Sequence, residues 1–375
     1  MSAVRHLYVH LPFCAHRCGY CDFVTVVGRE SMHACYVSAL IAELELHGEV
    51  LADPLETIFL GGGTPTFTAP AELRRLLAAL PPADEVTIEA NPETVTGELA
   101  HALRASGVSR VSLGAQSFQP HLLEILERQA EPDAVRRAFY DLRGAGFDNI
   151  SLDLIYGIPG QSTSDLDADL AETFALAPEH VSAYELEAKP RTRFTRVHGN
   201  ELERQAEKME RYFERVVETL VRAGYRWYET ANFCLEAGLV GGRDLRARHN
   251  MAYWRARDYL GIGIGAVSTV AGTRWRNAPN LTNYVEALER TEAPRRDVEL
   301  LDAETRARER LMLGLRLDEP LVLDAEVSHA LDHAARARLT WRGLVQGGEP
   351  ESGPLALTRR GRFLGDAVTA ELVAG

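Results

Sequence analysis

The sequence predicts an α/β protein in which consecutive strand and helix units build a parallel sheet, followed by a smaller, mostly helical domain. Three observations carry this reading. Short runs rich in β-branched and aromatic residues alternate with amphipathic segments from His6 to Leu186, the pattern of repeated βα units. Polar or glycine-bearing residues gather directly after those runs, at Cys14–Cys21, Gly61–Thr66, Ala90–Glu93, Gln116–Phe118 and Tyr156–Gly160. Active sites of parallel α/β sheets form at the carboxyl ends of the strands, so these tips should share one mouth. From residue 301 onward the pattern changes to helix, helix, hairpin and helix.

Strands are expected near His6–Phe13, Thr57–Leu60, Val86–Glu89, Arg110–Leu113, Asn149–Leu154 and His180–Leu186. Between them, apolar residues at helical spacing mark Ser31–His47, Ala71–Leu80, Gly97–Ala105, Pro120–Arg143 and Ser164–Leu176. Units of this kind suit an incomplete barrel, and a doubly wound sheet fits the same periodicity. A charged helix at Glu201–Arg222 and a further strand at Tyr225–Phe233 complete a first domain over residues 1–235. Residues 236–300 read as a connecting region, in which Arg243–Thr269 is rich in Arg, aromatics and Gly. The third part, 301–375, carries helices Ala303–Arg316 and Ala325–Leu339, a Gly/Pro-rich hairpin near Gly347–Pro354 and a last helix from Arg360. That order is winged-helix-like. Its many acids and lack of Lys favour a lid or docking role over contact with nucleic acid.

Composition narrows the class. The 375 residues are 46% hydrophobic, enough for a large core. A net charge of -13 disfavours non-specific nucleic-acid binding. No apolar stretch approaches the ~18 residues of a membrane span, and no targeting run is read ahead of the first motif. Of five cysteines, three fall within eight residues, which is no disulfide framework; reduced thiols at a metal centre point to a cytoplasmic setting.

Those three are Cys14, Cys18 and Cys21, at C-x3-C-x2-C spacing on a short loop after the first strand. Three thiolates can converge on one inorganic centre, and a cubic [4Fe-4S] cluster held this way leaves one iron without a protein ligand. The alternative is a structural zinc site closed by His10 or His16. A zinc knuckle brings a second ligand pair downstream, whereas Cys35 and Cys234 stand alone. Gly61-Gly-Gly-Thr-Pro65 also follows a strand. It lacks the GK[ST] ending of a phosphate loop, but bare glycines let backbone groups approach a ligand closely. Glu89 and Asp153 each interrupt an apolar strand, which favours a functional over a solvated carboxylate.

The run from Tyr8 through His10-Leu-Pro-Phe-Cys14 to Cys18, Tyr20, Cys21, Asp22 and Phe23 resembles the signature of radical S-adenosylmethionine (SAM) proteins. The resemblance is to the branch that holds the anaerobic coproporphyrinogen III oxidases and the haem chaperones. It implies a partial (β/α)6 barrel and a [4Fe-4S] cluster on Cys14, Cys18 and Cys21. SAM would chelate the fourth iron and be split there into methionine and a 5′-deoxyadenosyl radical. By position in the matching motifs, it also implies SAM contacts at Tyr8, Gly62, Gly63, Thr64, Glu89, Gln116, Arg128 and Asp153. Two details depart from the family: Leu126-Glu-Arg-Gln-Ala130 stands for Leu-Gly-Arg-x-His, and Lys189-Pro-Arg-Thr for Glu-Pro-Gly-Thr.

Two features separate the branches. The oxidases continue to a fourth thiol, C-x3-C-x2-C-x-C, and here Asp22 and Phe23 follow Cys21. Arg248-His249-Asn-Met-Ala-Tyr253-Trp254 matches the HNxxYW motif of the haem-chaperone branch, which implies His249 as a haem ligand. Tyr253 and Trp254 could pack on a porphyrin, and Arg243, Arg246, Arg248, Arg255 and Arg257 could pair with propionates. The expected function is therefore a protein that binds haem and passes it to an acceptor protein, with cluster and SAM in the barrel. The alternative is an oxidative decarboxylase of coproporphyrinogen III.

Overall fold

In the computed structural model, which describes residues 3–187, 189, 193–347 and 353–373, all six expected strands form and pair in chain order. β1 (His6–Leu11), β2 (Leu55–Gly62), β3 (Ala83–Ala90), β4 (Arg110–Gln116), β5 (Ile150–Tyr156) and β6 (His180–Glu185) are parallel neighbours. That unbroken order decides what periodicity left open. Parallel crossovers are right-handed, so strands laid down in one direction put every connecting helix on the same face. A doubly wound sheet would reverse its order at a switch point. Here the sheet curls, with helices outside.

Alternation along each strand then sorts the side chains. Leu7, Val9 and Leu11, Ile58 and Leu60, and Val111 and Leu113 are fully buried on the outer face. They pack in one core with helices α1 (His33–Leu46), α2 (Pro70–Ala79), α3 (Gly97–Ala105), α5 (Pro132–Gly144), α6 (Thr163–Leu176) and α7 (Arg193–Arg222). The alternate positions, among them His6, Thr57, Glu85, Arg110, Ser112, Ser151 and His180, are buried polar residues. An acid interrupting an apolar strand is thus the other face showing through.

Three strands extend the sheet. β7 (Tyr225–Trp227) and β8 (Asn232–Leu235) form an antiparallel hairpin beyond β6. β9 (Leu260–Ile262), from the segment expected as a connecting region, pairs parallel to β1 with Leu7 opposite Leu260. The edges are β9 and β7, so the sheet stays open. One buried carboxylate ties this late segment to the first helix. Glu43 of α1 accepts hydrogen bonds from the Gly263 N–H (2.8 Å), Asn277 Nδ2 (2.8 Å) and the Tyr284 hydroxyl (2.6 Å), with Arg296 at 3.3 Å.

Several expected elements are corrected. Pro120–Arg143 is two helices, α4 (Pro120–Ile125) and α5, because Glu127 turns into the left-handed region (φ 55°) and Pro132 starts a new helix. Tyr225–Phe233 is the β7–β8 hairpin, since the Glu229 carboxylate caps the turn by accepting from the Ala231 N–H and Asn232 Nδ2. The charged helix α7 begins earlier, at Arg193. Ala325–Leu339 breaks where Asp332 caps a second helix through the Ala335 N–H, and the last helix divides at Leu364.

Residues 303–373 gather a separate apolar core around Leu311, Leu339, Leu355 and Leu372. Helices flank a two-stranded hairpin of Val345–Gly347 and Leu355–Leu357; its expected tip, residues 348–352, lies outside the described residues, as do Pro190, Arg191 and Thr192. This unit docks on the β7–β8 hairpin. Arg226 pairs with Asp318 (2.6 Å), Arg316 with Glu229 (2.8 Å), and the Arg362 guanidinium lies 3.7 Å from the Trp227 ring centroid. No helix among the described residues is long and apolar enough to cross a membrane.

Candidate functional site

A cavity of about 570 Å³ opens at the carboxyl ends of the strands. Cys14, Cys18, Cys21, Gly62, Gly63, Thr64, Glu89, Gln116, Arg128 and Asp153 all line it. The fold brings together residues that lie as far apart in the chain as Cys14 and Asp153, because all but Arg128 lie on or directly after the strands; Arg128, expected inside a helix, reaches the cavity from the turn between α4 and α5.

The cysteine loop leaves β1, and each of two sulfurs faces a polar neighbour. The Thr64 hydroxyl donates to Cys14 Sγ (3.5 Å), and Arg128 Nη1 donates to Cys18 Sγ (3.8 Å), with His16 Nε2 3.7 Å from the same sulfur. Burial pushes the Cys21 thiol up to about 11, and it raises Cys14 against the opposing pull of the Thr64 hydroxyl. All five cysteines are free thiols. Among the described residues no three His, Cys, Asp or Glu side chains converge as a single ion requires. A cubic cluster asks for something else, one thiolate at each of three corners. The two histidines weighed as zinc ligands are engaged elsewhere: His10 Nε2 with the Val24 carbonyl (2.8 Å) and His16 Nε2 with the Glu127 carbonyl (2.8 Å). A soft, three-sulfur donor set with nearby N–H and O–H donors fits an iron–sulfur cluster.

The glycine run is shaped by close approach. Gly62 has φ 113°, and a Cβ there would lie 2.5 Å from the His10 ring; one on Gly63 would lie 2.5 Å from the Pro12 carbonyl oxygen. The Gly62 N–H donates to Glu89 Oε2 (3.0 Å). Tyr8 is one layer back and does not line the cavity. Its hydroxyl donates to His10 Nδ1 (3.1 Å), so it holds the ring on which the glycine turn rests. Burial drives His10 down to about 4, keeping that ring neutral.

Across the cavity, burial and the neighbouring Asp153 push the Glu89 carboxyl up to about 7, against the Gly62 N–H and the Arg110 charge. Asp153 is raised by burial and held by the hydroxyls of Ser112 (2.8 Å) and Ser151 (3.1 Å). Gln116 has φ 65°, and a Cβ on Gly114 would lie 2.7 Å from its amide nitrogen, so the bare Gly114 leaves room for the Gln116 side chain. Arg128, whose motif departs from the family pattern, has a buried side chain all the same; Nη2 donates to Asn91 Oδ1 (3.0 Å) and the Gly114 carbonyl (3.1 Å).

Two lining residues were not singled out from the sequence. Asn91 bridges Thr64 and Arg128 by donating to the Thr64 hydroxyl (2.9 Å). Arg110 is a 2%-exposed cation at the cavity wall, its Nε without a partner among the described residues. A charge at the head of an apolar strand, rather than inside one as at Asp153, is the signal that could have marked Arg110.

His249 is placed elsewhere. It is buried, does not line this cavity, and both ring nitrogens are taken: Nδ1 by the Thr57 hydroxyl (2.7 Å) and Nε2 by the Tyr253 hydroxyl (2.9 Å). Burial lowers its pKa to about 3, so the ring is neutral.

An open sheet whose six leading strands run parallel, carrying three clustered thiols and a glycine turn at one mouth, has the features of the radical SAM class. Residues 8–172 match the Radical SAM superfamily model. The fold aligns with the solved structure described as "Coproporphyrinogen III oxidase (HemN) from Escherichia coli is a Radical SAM enzyme", at a TM-score of 0.81 and 22% identity over 99% of this chain and 90% of that one. Within that class the chain belongs to the HemW family. It is 36% identical to "Heme chaperone HemW" of Mycobacterium tuberculosis over 98% of this chain and 94% of that protein. It is 32% identical to the Bacillus subtilis protein of the same name over 97% and 98%.

Proposed function

We propose that this protein binds haem and delivers it to an acceptor protein, and that it carries a [4Fe-4S] cluster with SAM at the strand-end cavity. The observation that carries the cofactor part is the shared cavity of three thiols, a glycine turn and two carboxylates. Cys14, Cys18 and Cys21 would hold the cluster, whose chemistry with SAM is reductive cleavage of the sulfonium. The surrounding residues bind and orient. Thr64 and Arg128 donate toward cluster sulfur ligands, the bare Gly62–Gly63 backbone admits the amino-acid end of SAM, and Glu89 and Asp153 accept from its ammonium or ribose hydroxyls. The haem part is supported by the name of the relatives and by the missing fourth cysteine after Cys21.

Anaerobic quantification of iron, sulfide and haem on one preparation tests both parts. Cluster stoichiometry with saturable haem binding is expected; zinc without iron or sulfide would refute the cofactor reading. Assay with reductant, SAM and coproporphyrinogen III is expected to yield no divinyl product. Its formation would replace the chaperone reading with that of an oxidative decarboxylase.

A further inference from the structure

One charge on the wall of the strand-end cavity has no direct partner in the protein. Arg110 is 2% exposed, and among the described residues it donates no hydrogen bond and forms no ion pair. A guanidinium stays charged in a protein, and a buried charge is costly unless opposite charge lies near. Strand register shows where that opposite charge is. Arg110 stands opposite Thr87 of β3, so Glu85 and Glu89 flank it two residues to either side, on the same face. By the spacing between strands and along them, each diagonal is about 8 Å between Cα atoms. Ser112, the next inward residue of β4, stands opposite Glu89 and donates to Asp153 Oδ2 (2.8 Å).

Three buried carboxyls, Glu85, Glu89 and Asp153, therefore gather around one guanidinium. Burial raises all three, and Arg110 is the one cation among the described residues that opposes it at each. Its distance matters. A guanidinium bonded to one carboxylate would occupy that group's oxygens, whereas one held back acts through a poorly screened interior and leaves the oxygens open to a ligand. The other groups that face Glu89 bring no positive charge. Asp153 repels it, burial keeps the phenols of Tyr8 on β1, Tyr184 on β6 and Tyr253 neutral, and burial raises the Cys14 thiol. His180 on β6 is driven well below its ordinary value by burial and by Arg110, so it is neutral as well. Arg128 is turned to Asn91, the Gly114 carbonyl and Cys18.

We propose that Arg110 is a positioning residue of the SAM site: from the cavity wall its charge holds the Glu89 and Asp153 carboxylates in their ionised, accepting form without bonding to them, so that their oxygens face the ammonium or ribose hydroxyls of SAM. This rests on the SAM reading above and adds a residue to it. At an effective dielectric of about 20, a unit charge about 8–10 Å away is worth about one pH unit at a carboxyl.

Two titrations of the full-length chain test it, each with Arg110→Gln and Arg110→Lys. In the cluster-free protein, the stability that Glu89→Gln gains in urea unfolding should level off about one pH unit higher when Arg110→Gln is present, and at the wild-type pH with Arg110→Lys. In the reconstituted protein, calorimetric titration with SAM should show Arg110→Gln about fivefold weaker than wild type at pH 7, where Glu89 passes from half to about one-tenth ionised, and nearly equal to it at pH 9. Arg110→Lys should follow the wild type at both. Should Arg110→Gln not fold, Arg110→Gln with Glu85→Gln, which removes one charge of each sign, is expected to give the same two shifts. A loss of SAM affinity equal at pH 7 and pH 9 would make Arg110 a direct contact or a purely structural residue and overturn the proposal, as would an unmoved Glu89 plateau; in either case SAM binding by the wild type keeps the SAM reading. If the reconstituted wild type binds no SAM, both fall.

Discussion

Glu89→Gln should make the cluster-free protein more stable at alkaline pH while weakening its hold on SAM. Burial and Asp153 raise the Glu89 carboxyl from 4.5 to about 7, so the folded state takes up a proton more readily than the unfolded chain between those values. Where the folded state binds more protons, stability falls as pH rises. The Glu89 carboxyl therefore costs nothing below pH 4.5, costs stability increasingly from there to about pH 7, and costs the full amount above it. At about 1.4 kcal/mol per pH unit, the shift corresponds to about 3 kcal/mol at full ionisation. Glutamine keeps an oxygen to accept from the Gly62 N–H (3.0 Å) and has no charge to bury. The difference in urea unfolding free energy between variant and wild type, measured at pH 5 and pH 8, should approach about 3 kcal/mol in favour of the variant at pH 8 and be small at pH 5. Calorimetric titration of the reconstituted variant with SAM should show weaker binding if, as proposed, the Glu89 carboxylate accepts from its ammonium or ribose hydroxyls. A variant that gains no stability between pH 5 and pH 8 would refute the reasoning.

Three further outcomes follow from the same geometry. Cys14→Ala, Cys18→Ala and Cys21→Ala should each lower iron and sulfide content to near background in anaerobic preparations, and retention of a full cluster by any one of them would remove that thiol from the donor set. Arg128→Ala leaves Asn91 Oδ1 and the Gly114 carbonyl without their buried cationic donor and should cost about 2–3 kcal/mol in urea unfolding, with Arg128→Lys recovering only part. Glu43→Ala leaves the buried Gly263 N–H and Tyr284 hydroxyl without their acceptor and removes the carboxylate beside Arg296, and should cost about 3–5 kcal/mol, loosening the 260–296 segment from α1; proteolysis within that segment should then become faster than in the wild type.

The sequence by itself determined the local pieces. The six strands lie where β-branched runs predicted them, the thiol loop follows β1, and the glycine turn follows β2, because each depends on residues adjacent in the chain. The separation of apolar and polar faces was legible in Glu89 and Asp153, whose charges break apolar runs. Missed breaks have equally local causes that apolar spacing cannot register: Pro132 and the left-handed Glu127 divide a helix, and the Glu229 carboxylate folds a strand back on itself.

Only the tertiary structure decided what depends on distant partners. Periodicity is the same in a curled and a doubly wound sheet; the pairing order, β9-β1-β2-β3-β4-β5-β6-β8-β7, is not. Nor could a motif say which way a side chain points. Tyr8 supports His10 behind the glycine turn, and His249 turns inward onto Thr57 from 192 residues away, because a buried imidazole must find partners for both nitrogens and the nearest hydroxyls are on β2 and its own helix. A hydrogen bond between residues so far apart in the chain exists only once the sheet has brought them together.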